Sequence, residues 1–117
     1  MAGGETGIGK AIVEQLAGSG VKALITGRRE APLAELAERH AENVSFLVAD
    51  VTIPDERDRI ILTDVERYGQ SDVLINNAGA FWMGNFVDST DNDFECTYST
   101  NVVVPAALVR AAIPHLI

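Results

Sequence analysis

The chain has 117 residues, enough for one small domain, and a chain of this size buries roughly 65% of its unfolded surface. Hydrophobic residues make up 47% of it and charged residues 22%, a composition typical of globular and not of disordered proteins. The net charge of −8 argues against general nucleic-acid or anionic-membrane binding, because both require a positive field. The longest run without a polar residue, 102–109, is far shorter than the roughly 20 residues of a membrane span.

The single cysteine and the amino-terminal residues favour a cytoplasmic protein. Cys96 alone forms neither an internal disulfide nor a metal site, so we expect a reducing compartment and no metal. Its side chain is expected to be buried or half-buried. No basic stretch followed by an apolar one indicates a secretory signal.

Helical and strand-like patterns alternate in the first half of the chain. Residues 7–17 have helical spacing, and the Gly18-Ser19-Gly20 sequence that follows is expected to end this helix. A β-rich run predicts a strand over 21–26, helical spacing returns over 30–40, and residues 44–48 predict a second strand. The inward face of the first helix is predicted to carry Ile8, Ala11, Ile12 and Leu16.

The second half continues the alternation. A helix is predicted over 54–68, with Pro54 in its first turn, and a wholly apolar third strand over 73–75. Thr90, followed three residues later by Asp93, predicts a capping box that begins the last helix. Pro105 predicts a kink or break in that helix. Its inward face is expected to carry Phe94, Tyr98, Val102, Leu108 and Leu116, with Asn101 beside them.

These elements predict an α/β fold. Strands that are apolar throughout are buried on both faces, as a parallel sheet between two layers of helices requires. The order is α-β-α-β-α-β-α, and no strand precedes the glycine-rich start. We therefore expect residues 1–117 to form one partial domain.

Glycines crowd the start of the first helix, where Gly3, Gly4, Gly7 and Gly9 fall within seven residues. A helix amino terminus presents free N–H groups and partial positive charge, and glycines let the backbone approach a phosphate closely. The alternative is an ordinary flexible terminus. Glu5 would repel a phosphate unless its side chain turns to solvent.

Two arginines follow the first predicted strand. An acidic residue at that point would bind the ribose hydroxyls of NAD, but the chain has Gly27, Arg28 and Arg29 there. A pair of guanidinium groups suits the 2′-phosphate of NADP instead. The alternative is a solvated basic pair that begins a helix.

Four motifs together resemble the short-chain dehydrogenase/reductase family, classical type. The family's glycine motif, Thr-Gly-x-x-x-Gly-x-Gly, falls on residues 2–9, with Ala2 in place of the Thr. Its adenine-contacting Asp matches Asp50, with Val51 beside the ring. Its Asn-Asn-Ala-Gly motif matches residues 76–79, and its active-site Asn matches Asn101.

The resemblance implies a Rossmann-type doubly wound parallel sheet and an NAD(P)-dependent oxidoreductase. In that family hydride passes between nicotinamide and a carbonyl or alcohol carbon, and Asn101 would hold a water that relays protons. The cofactor is expected to be NADP, with NAD possible, and the family commonly forms dimers and tetramers through the long helix. Its cofactor residues are carried over onto Gly3, Glu5, Thr6, Gly7, Ile8, Gly9, Arg28, Arg29, Asp50, Val51, Asn77, Ala78 and Gly79.

The chain also departs from the family pattern. The family's catalytic Ser and Tyr-x-x-x-Lys are absent, and neither Tyr68 nor Tyr98 has a Lys four residues later. The family's first strand, at the centre of its sheet, is absent as well. We therefore expect a fragment that holds only the cofactor-binding half and is inactive alone. A non-catalytic binding module is the alternative.

Three further interpretations stay open. Asn76 and Asn77 either brace the sheet through hydrogen bonds or contact the cofactor. Phe81 and Trp82 either border the substrate or pack a surface loop. A different Rossmann protein, such as a nucleotide-sugar epimerase or a methyltransferase, is disfavoured by the Asn-Asn-Ala-Gly motif and its spacing to Asn101.

Overall fold

The computed structural model of the protein describes residues 7–77 and 84–116. Helices precede and follow each of two strands, as the sequence predicted, with bounds within two residues of the predicted ones. The elements in chain order are α1 (Gly7–Gly18), β1 (Ala23–Gly27), α2 (Glu30–Arg39), β2 (Val44–Val48), α3 (Pro54–Tyr68), α4 (Asp91–Tyr98) and α5 (Val104–Ala112).

The two strands form a parallel pair, with Ala23 opposite Val44 and Gly27 opposite Val48. Parallel pairing requires a crossover, and α2 supplies it. The central residues of β1 are fully buried, and the hydroxyl of Thr26 donates to the carbonyl of Leu47 at 2.8 Å. This pairing brings the ends of both strands to one edge of the sheet.

A first core lies between this sheet and helices α1 and α2. The predicted inward face of α1 is wrong: Ile8 is 75% exposed, whereas Val13 and Ala17 are buried. Apolar residues surround most of α1, so hydrophobicity alone does not choose the face that meets the sheet. The face of α1 that carries Gly9 and Ala17 has small side chains, and it therefore allows the closest approach of the helix to the sheet. The core residues are Val13, Ala17, Ile25, Leu33, Leu36, Ala37 and Val44.

The third predicted strand, Val73–Ile75, does not form a strand in the described part of the chain. Its residues make no ladder with β1 or β2, and the described sheet has two strands. Ser71 makes an isolated bridge to Leu116, and the side chain of Leu74 packs into a second core. A strand is defined by a hydrogen-bonded ladder, and none of the described segments forms one with residues 73–75.

The second core joins α3 to α5. Its buried residues are Ile61, Val104, Leu108 and Ala112. Of the residues predicted to face inward on the long helix, Leu108 is buried and Leu116 half-buried, but Phe94, Tyr98 and Val102 are exposed. The prediction for these three was wrong, because the helix changes register between α4 and α5.

A π-helical turn, Ser99–Val103, causes that change of register. The N–H of Val104 donates to the carbonyl of Ser99, five residues back. Pro105 has no N–H to continue the α-helical pattern. The irregularity expected at Pro105 is therefore confirmed, as a π turn immediately before it.

The amino terminus of α4 has the predicted capping box. The N–H of Asp93 donates to Oγ1 of Thr90 at 3.2 Å, and the N–H of Thr90 donates to Oδ2 of Asp93 at 2.8 Å. Cys96, on the same helix, is exposed, which corrects the expectation of a buried or half-buried thiol. No described residue of α4 is buried, so this helix has no apolar face in the core.

The continuous helical segment Asp91–His115 is long and apolar enough to cross a membrane by length and composition alone. Its most apolar window has a mean hydropathy of 1.2, and 22% of that window is buried. Core helices meet the same criterion, and α5 packs on α3 through Val104, Leu108 and Ala112. Length and composition are therefore weak evidence for a membrane span here.

Candidate cofactor site

The start of α1 lies at the edge of the sheet where β1 and β2 end. The other end of α1 is fixed at the opposite edge, because the amide of Asn43 donates to the carbonyl of Ala17 at 3.0 Å. The carbonyl of Asn43 in turn accepts from the N–H of Ala23, the first residue of β1. The 12 residues of α1 span about 18 Å and the 5 of β1 about 17 Å, so Gly7 is level with the strand ends.

Glycine is required at the first turn of α1. Gly7 has a φ of +58°, in the left-handed region that side chains disfavour. Gly9 is buried on the side of α1 that faces the core. Ile8 is exposed. The other candidates from the glycine motif, Gly3, Glu5 and Thr6, lie outside the described residues.

Arg28 and Arg29 follow directly from the end of β1. Both side chains are exposed, and Arg29 precedes α2 without a side-chain hydrogen bond to it. The ion pairs in the described part of the chain are Arg39–Glu14 and Arg59–Glu56. Both guanidinium groups of the 28–29 pair are thus available to an anion at this edge of the sheet.

Asp50 lies just past the end of β2, in a turn that holds its carboxylate. Oδ1 accepts from the backbone N–H of Thr52 at 2.9 Å and from its hydroxyl at 2.6 Å. These bonds, the side-chain one foremost, lower the pKa of Asp50, and the charge of Arg28 lowers it further against the opposing effect of partial burial. The carboxylate of Asp50 and the guanidinium of Arg28 thus follow the ends of two paired strands at one edge of the sheet.

The backbone of the same turn is held from α3. Nη1 of Arg57 donates to the carbonyl of Val51 at 2.9 Å, and the side chain of Val51 packs against the second core. Sequence reasoning missed both Thr52 and Arg57. The Asp-x-Thr spacing is a signal for the Thr52 contact, since Asp side chains bond the backbone two residues on. No sequence signal indicates the contact of Arg57.

The asparagines lie on the other two segments that were expected to contribute. Asn77 is half-buried and Asn76 exposed, after residues 73–75. Asn101 lies in the π turn and is exposed, not on an inward face as expected. Ala78, Gly79, Phe81 and Trp82 lie outside the described residues. Within residues 7–77 and 84–116, no group of three or more His, Cys, Asp or Glu side chains is placed to hold a metal.

The contacts of Asp50 predict a pH-dependent contribution to stability. Because the native pKa lies below the unfolded value of about 3.9, the stabilisation is present above that value and is lost as the pH falls through the native pKa. Asp50→Ala is expected to lower the free energy of unfolding by about 0.5–1 kcal/mol at pH 7, with a smaller difference at pH 3. Urea unfolding at both pH values measures this.

The control is Glu42→Ala, since the exposed Glu42 side chain has no hydrogen bond in the described structure. This variant should match the wild type at pH 7. A difference between Asp50→Ala and the wild type that stays constant from pH 7 to pH 3 would contradict the paired carboxylate.

Comparison with known families gives one match over the whole chain. The family described as short chain dehydrogenase matches residues 1–117. An uncharacterized oxidoreductase of Staphylococcus saprophyticus is 32% identical over 119 residues, which cover 98% of this chain and 51% of the relative. A cis-2,3-dihydrobiphenyl-2,3-diol dehydrogenase of Paraburkholderia xenovorans is 32% identical over 120 residues, covering 98% of this chain and 43% of the relative.

Solved structures agree with the sequence comparison. A short-chain dehydrogenase from Streptomyces avermitilis superposes with a TM-score of 0.91 at 32% identity, covering 97% of this chain and 42% of that one. A short-chain dehydrogenase/reductase from Brucella melitensis, described as a glucose/ribitol dehydrogenase, superposes with a TM-score of 0.94 at 28% sequence identity. The match covers 99% of this chain and 50% of that one. The chain thus spans about half the length of its relatives and has part of their Rossmann-type α/β fold. On the family match, which covers every residue, this chain belongs to the short-chain dehydrogenase family.

Proposed function

We propose that this chain forms the adenosine- and pyrophosphate-binding half of an NADP(H) site in a short-chain oxidoreductase. One observation supports this more than any other. Arg28, which has no ion pair among the described residues, follows the end of β1 at the same edge of the sheet where Asp50 follows the end of β2, because Gly27 pairs with Val48. In α/β sheets, ligands bind at the carboxyl ends of the strands.

Preference for NADP over NAD rests on the residues that follow β1. A 2′-phosphate carries charge that a guanidinium fork binds in a bidentate way. An NAD site would instead have an acidic side chain there, and Gly27, Arg28 and Arg29 provide none. The carboxylate of Glu5 opposes phosphate binding by charge, and the proposal for NADP depends on the two arginines outweighing it.

The remaining site residues take roles according to the element on which they lie. The start of α1 would bind the pyrophosphate through backbone N–H groups, and the 50–51 turn would bind the adenine. The segment after Ile75 would pass close to a ribose. The proposed residues are Gly3, Thr6, Gly7, Ile8 and Gly9 for the pyrophosphate, Asp50 and Val51 for the adenine, and Asn77, Ala78 and Gly79 for the ribose.

The reaction proposed for the full enzyme is oxidoreduction of a carbonyl or alcohol. Bound NADP(H) supplies or accepts the hydride. Asn101, exposed in the π turn, would hold a water that relays protons to a lysine. The Paraburkholderia relative is by name a dehydrogenase of a diol, which supports an alcohol or carbonyl as the substrate class.

We further propose a cytoplasmic protein able to form homo-oligomers. Six large exposed apolar side chains lie along the helical segment Asp91–His115, a surface that suits packing against a second copy of the chain. They are Phe94, Tyr98, Val102, Val103, Val109 and Ile113. The acidic composition and the single cysteine support a reducing cytoplasm.

Isothermal titration with NADPH and NADH tests the cofactor proposal. The wild type is expected to bind NADPH more tightly, and Arg28→Gln to weaken NADPH binding about tenfold with little effect on NADH. Arg39→Gln is the control, because Arg39 pairs with Glu14 at 3.2 Å. Equal affinity of the wild type for both nucleotides, unchanged in Arg28→Gln, would show that Arg28 does not select the cofactor.

A non-catalytic binding module remains the second candidate. The observation that favours it is that no Tyr in these 117 residues has a Lys four positions later. We expect this chain alone to oxidise no NADPH in the presence of carbonyl compounds, as followed by absorbance at 340 nm. NADPH oxidation above the background of heat-denatured protein would exclude two hypotheses, that the chain is a non-catalytic binding module and that it is a cofactor-binding half without activity of its own.

A further inference from the structure

The turn that joins β2 to α3, residues 50–53, is fixed at several points. The N–H of Ile53 donates to the carbonyl of Asp50 at 3.1 Å and closes the turn. Thr52 binds the carboxylate of Asp50 through two hydrogen bonds. The side chain of Val51 packs against the second core. The carboxylate of Asp50 therefore depends for its direction on the backbone of residues 51 and 52.

Arg57 holds this backbone from the first turns of α3. Its backbone N–H donates to the carbonyl of Ile53 at 3.1 Å, and Nη1 of its side chain reaches back to the carbonyl of Val51 at 2.9 Å. No other group in the described residues donates to the Val51 carbonyl. One half-buried side chain thus ties the middle of the turn to the helix that follows it.

Two other arginines show what is particular to Arg57. Arg59, two residues further along α3, donates to the carbonyl of Val48 at 2.9 Å, at the end of β2 and outside the turn. Arg28 acts on Asp50 through its charge. Arg57 contacts the turn only through backbone carbonyls. Its effect on Asp50 is therefore one of geometry.

We infer that Arg57 is a positioning residue for adenine recognition, one that aims the Asp50 carboxylate by fixing the Val51 carbonyl. The inference rests on the proposed function, in which Asp50 faces the base. The exocyclic amine of adenine is a donor that a carboxylate accepts, and hydrogen bonds weaken steeply once their geometry departs from linear. Without the hydrogen bond from Arg57 to the Val51 carbonyl, the Asp50 carboxylate would lose its alignment with the adenine amine. The proposed phosphate contacts at the start of α1 and at Arg28 would stay.

The test compares NADPH with its deamino analogue, which has a carbonyl in place of the adenine amine. The wild type is expected to bind NADPH more tightly than the analogue. Arg57→Gln is expected to weaken NADPH binding about three- to tenfold and to leave the analogue nearly unchanged, so that the ratio of the two Kd values falls toward one. Arg57→Lys keeps a cationic donor on a long stem, whereas the amide of the Gln variant is on a shorter one, so Arg57→Lys is expected to restore part of the ratio.

Arg59→Gln is the matched control, since Arg59 also donates from α3 to a backbone carbonyl but not within the turn. It is expected to keep the ratio of the wild type. Two results overturn the inference and leave the proposed function standing. One is a ratio of Kd values in Arg57→Gln equal to that of the wild type, and the other is a fall of this ratio in Arg59→Gln as large as that in Arg57→Gln. No NADPH binding by the wild type overturns the proposed function and the inference together. Should Arg57→Gln fail to fold by circular dichroism, Arg57→Met decides, because it keeps the apolar stem and has no donor for the Val51 carbonyl, and a ratio equal to that of the wild type overturns the inference.

Discussion

The parallel register of β1 and β2 is the constraint on which the site depends. Because Gly27 pairs with Val48, the residues that follow the two strands leave the sheet at the same edge. Arg28 follows one strand directly and Asp50 the other after a single residue, although they are 22 positions apart in the chain. A slip of one residue would reverse the faces of one strand and separate these two side chains. The buried residues of β1, with Ile25 at 0% exposure, make such a slip costly.

The electrostatics of the site follow from this register. A carboxylate and a guanidinium at one edge give the site both an acceptor for an amine and a donor for a phosphate. The net charge of −8 would repel an anionic ligand over the surface as a whole, so the proposed binding of a dinucleotide would depend on the local arginine pair and on the start of α1. The family match and this local charge are two separate supports for the proposed nucleotide site.

Much of the fold was predictable from the sequence because its signals are local. The spacing of apolar residues and the turn-forming residues between them were enough to predict α2, β2 and α3. The spacing of Thr90 and Asp93 was enough to predict the capping box at the start of α4. The wrong predictions concern what depends on neighbours. Val73–Ile75 has strand composition but makes no ladder with a described strand, and α1 buries the face that carries Val13 and Ala17 and not the one that carries Ile8. The register change at Ser99–Val103 moved Phe94 and Tyr98 away from the core.

The site divides in the same way. Gly7 and Asp50 were predicted from motifs of the family and Arg28 from the basic pair after the first predicted strand, and their roles toward a cofactor stay proposals. The support of Asp50 by Thr52 has a sequence signal that went unused, and the contact from Arg57 to Val51 has none, because it arises only once the turn folds back over α3.

Chemical-shift mapping by NMR on titration with NADPH tests the central claim most directly. The account predicts the largest changes at Gly7, Gly9, Arg28, Asp50 and Val51. Changes confined to the opposite edge of the sheet, around Ala17, Lys22 and Asn43, would contradict it.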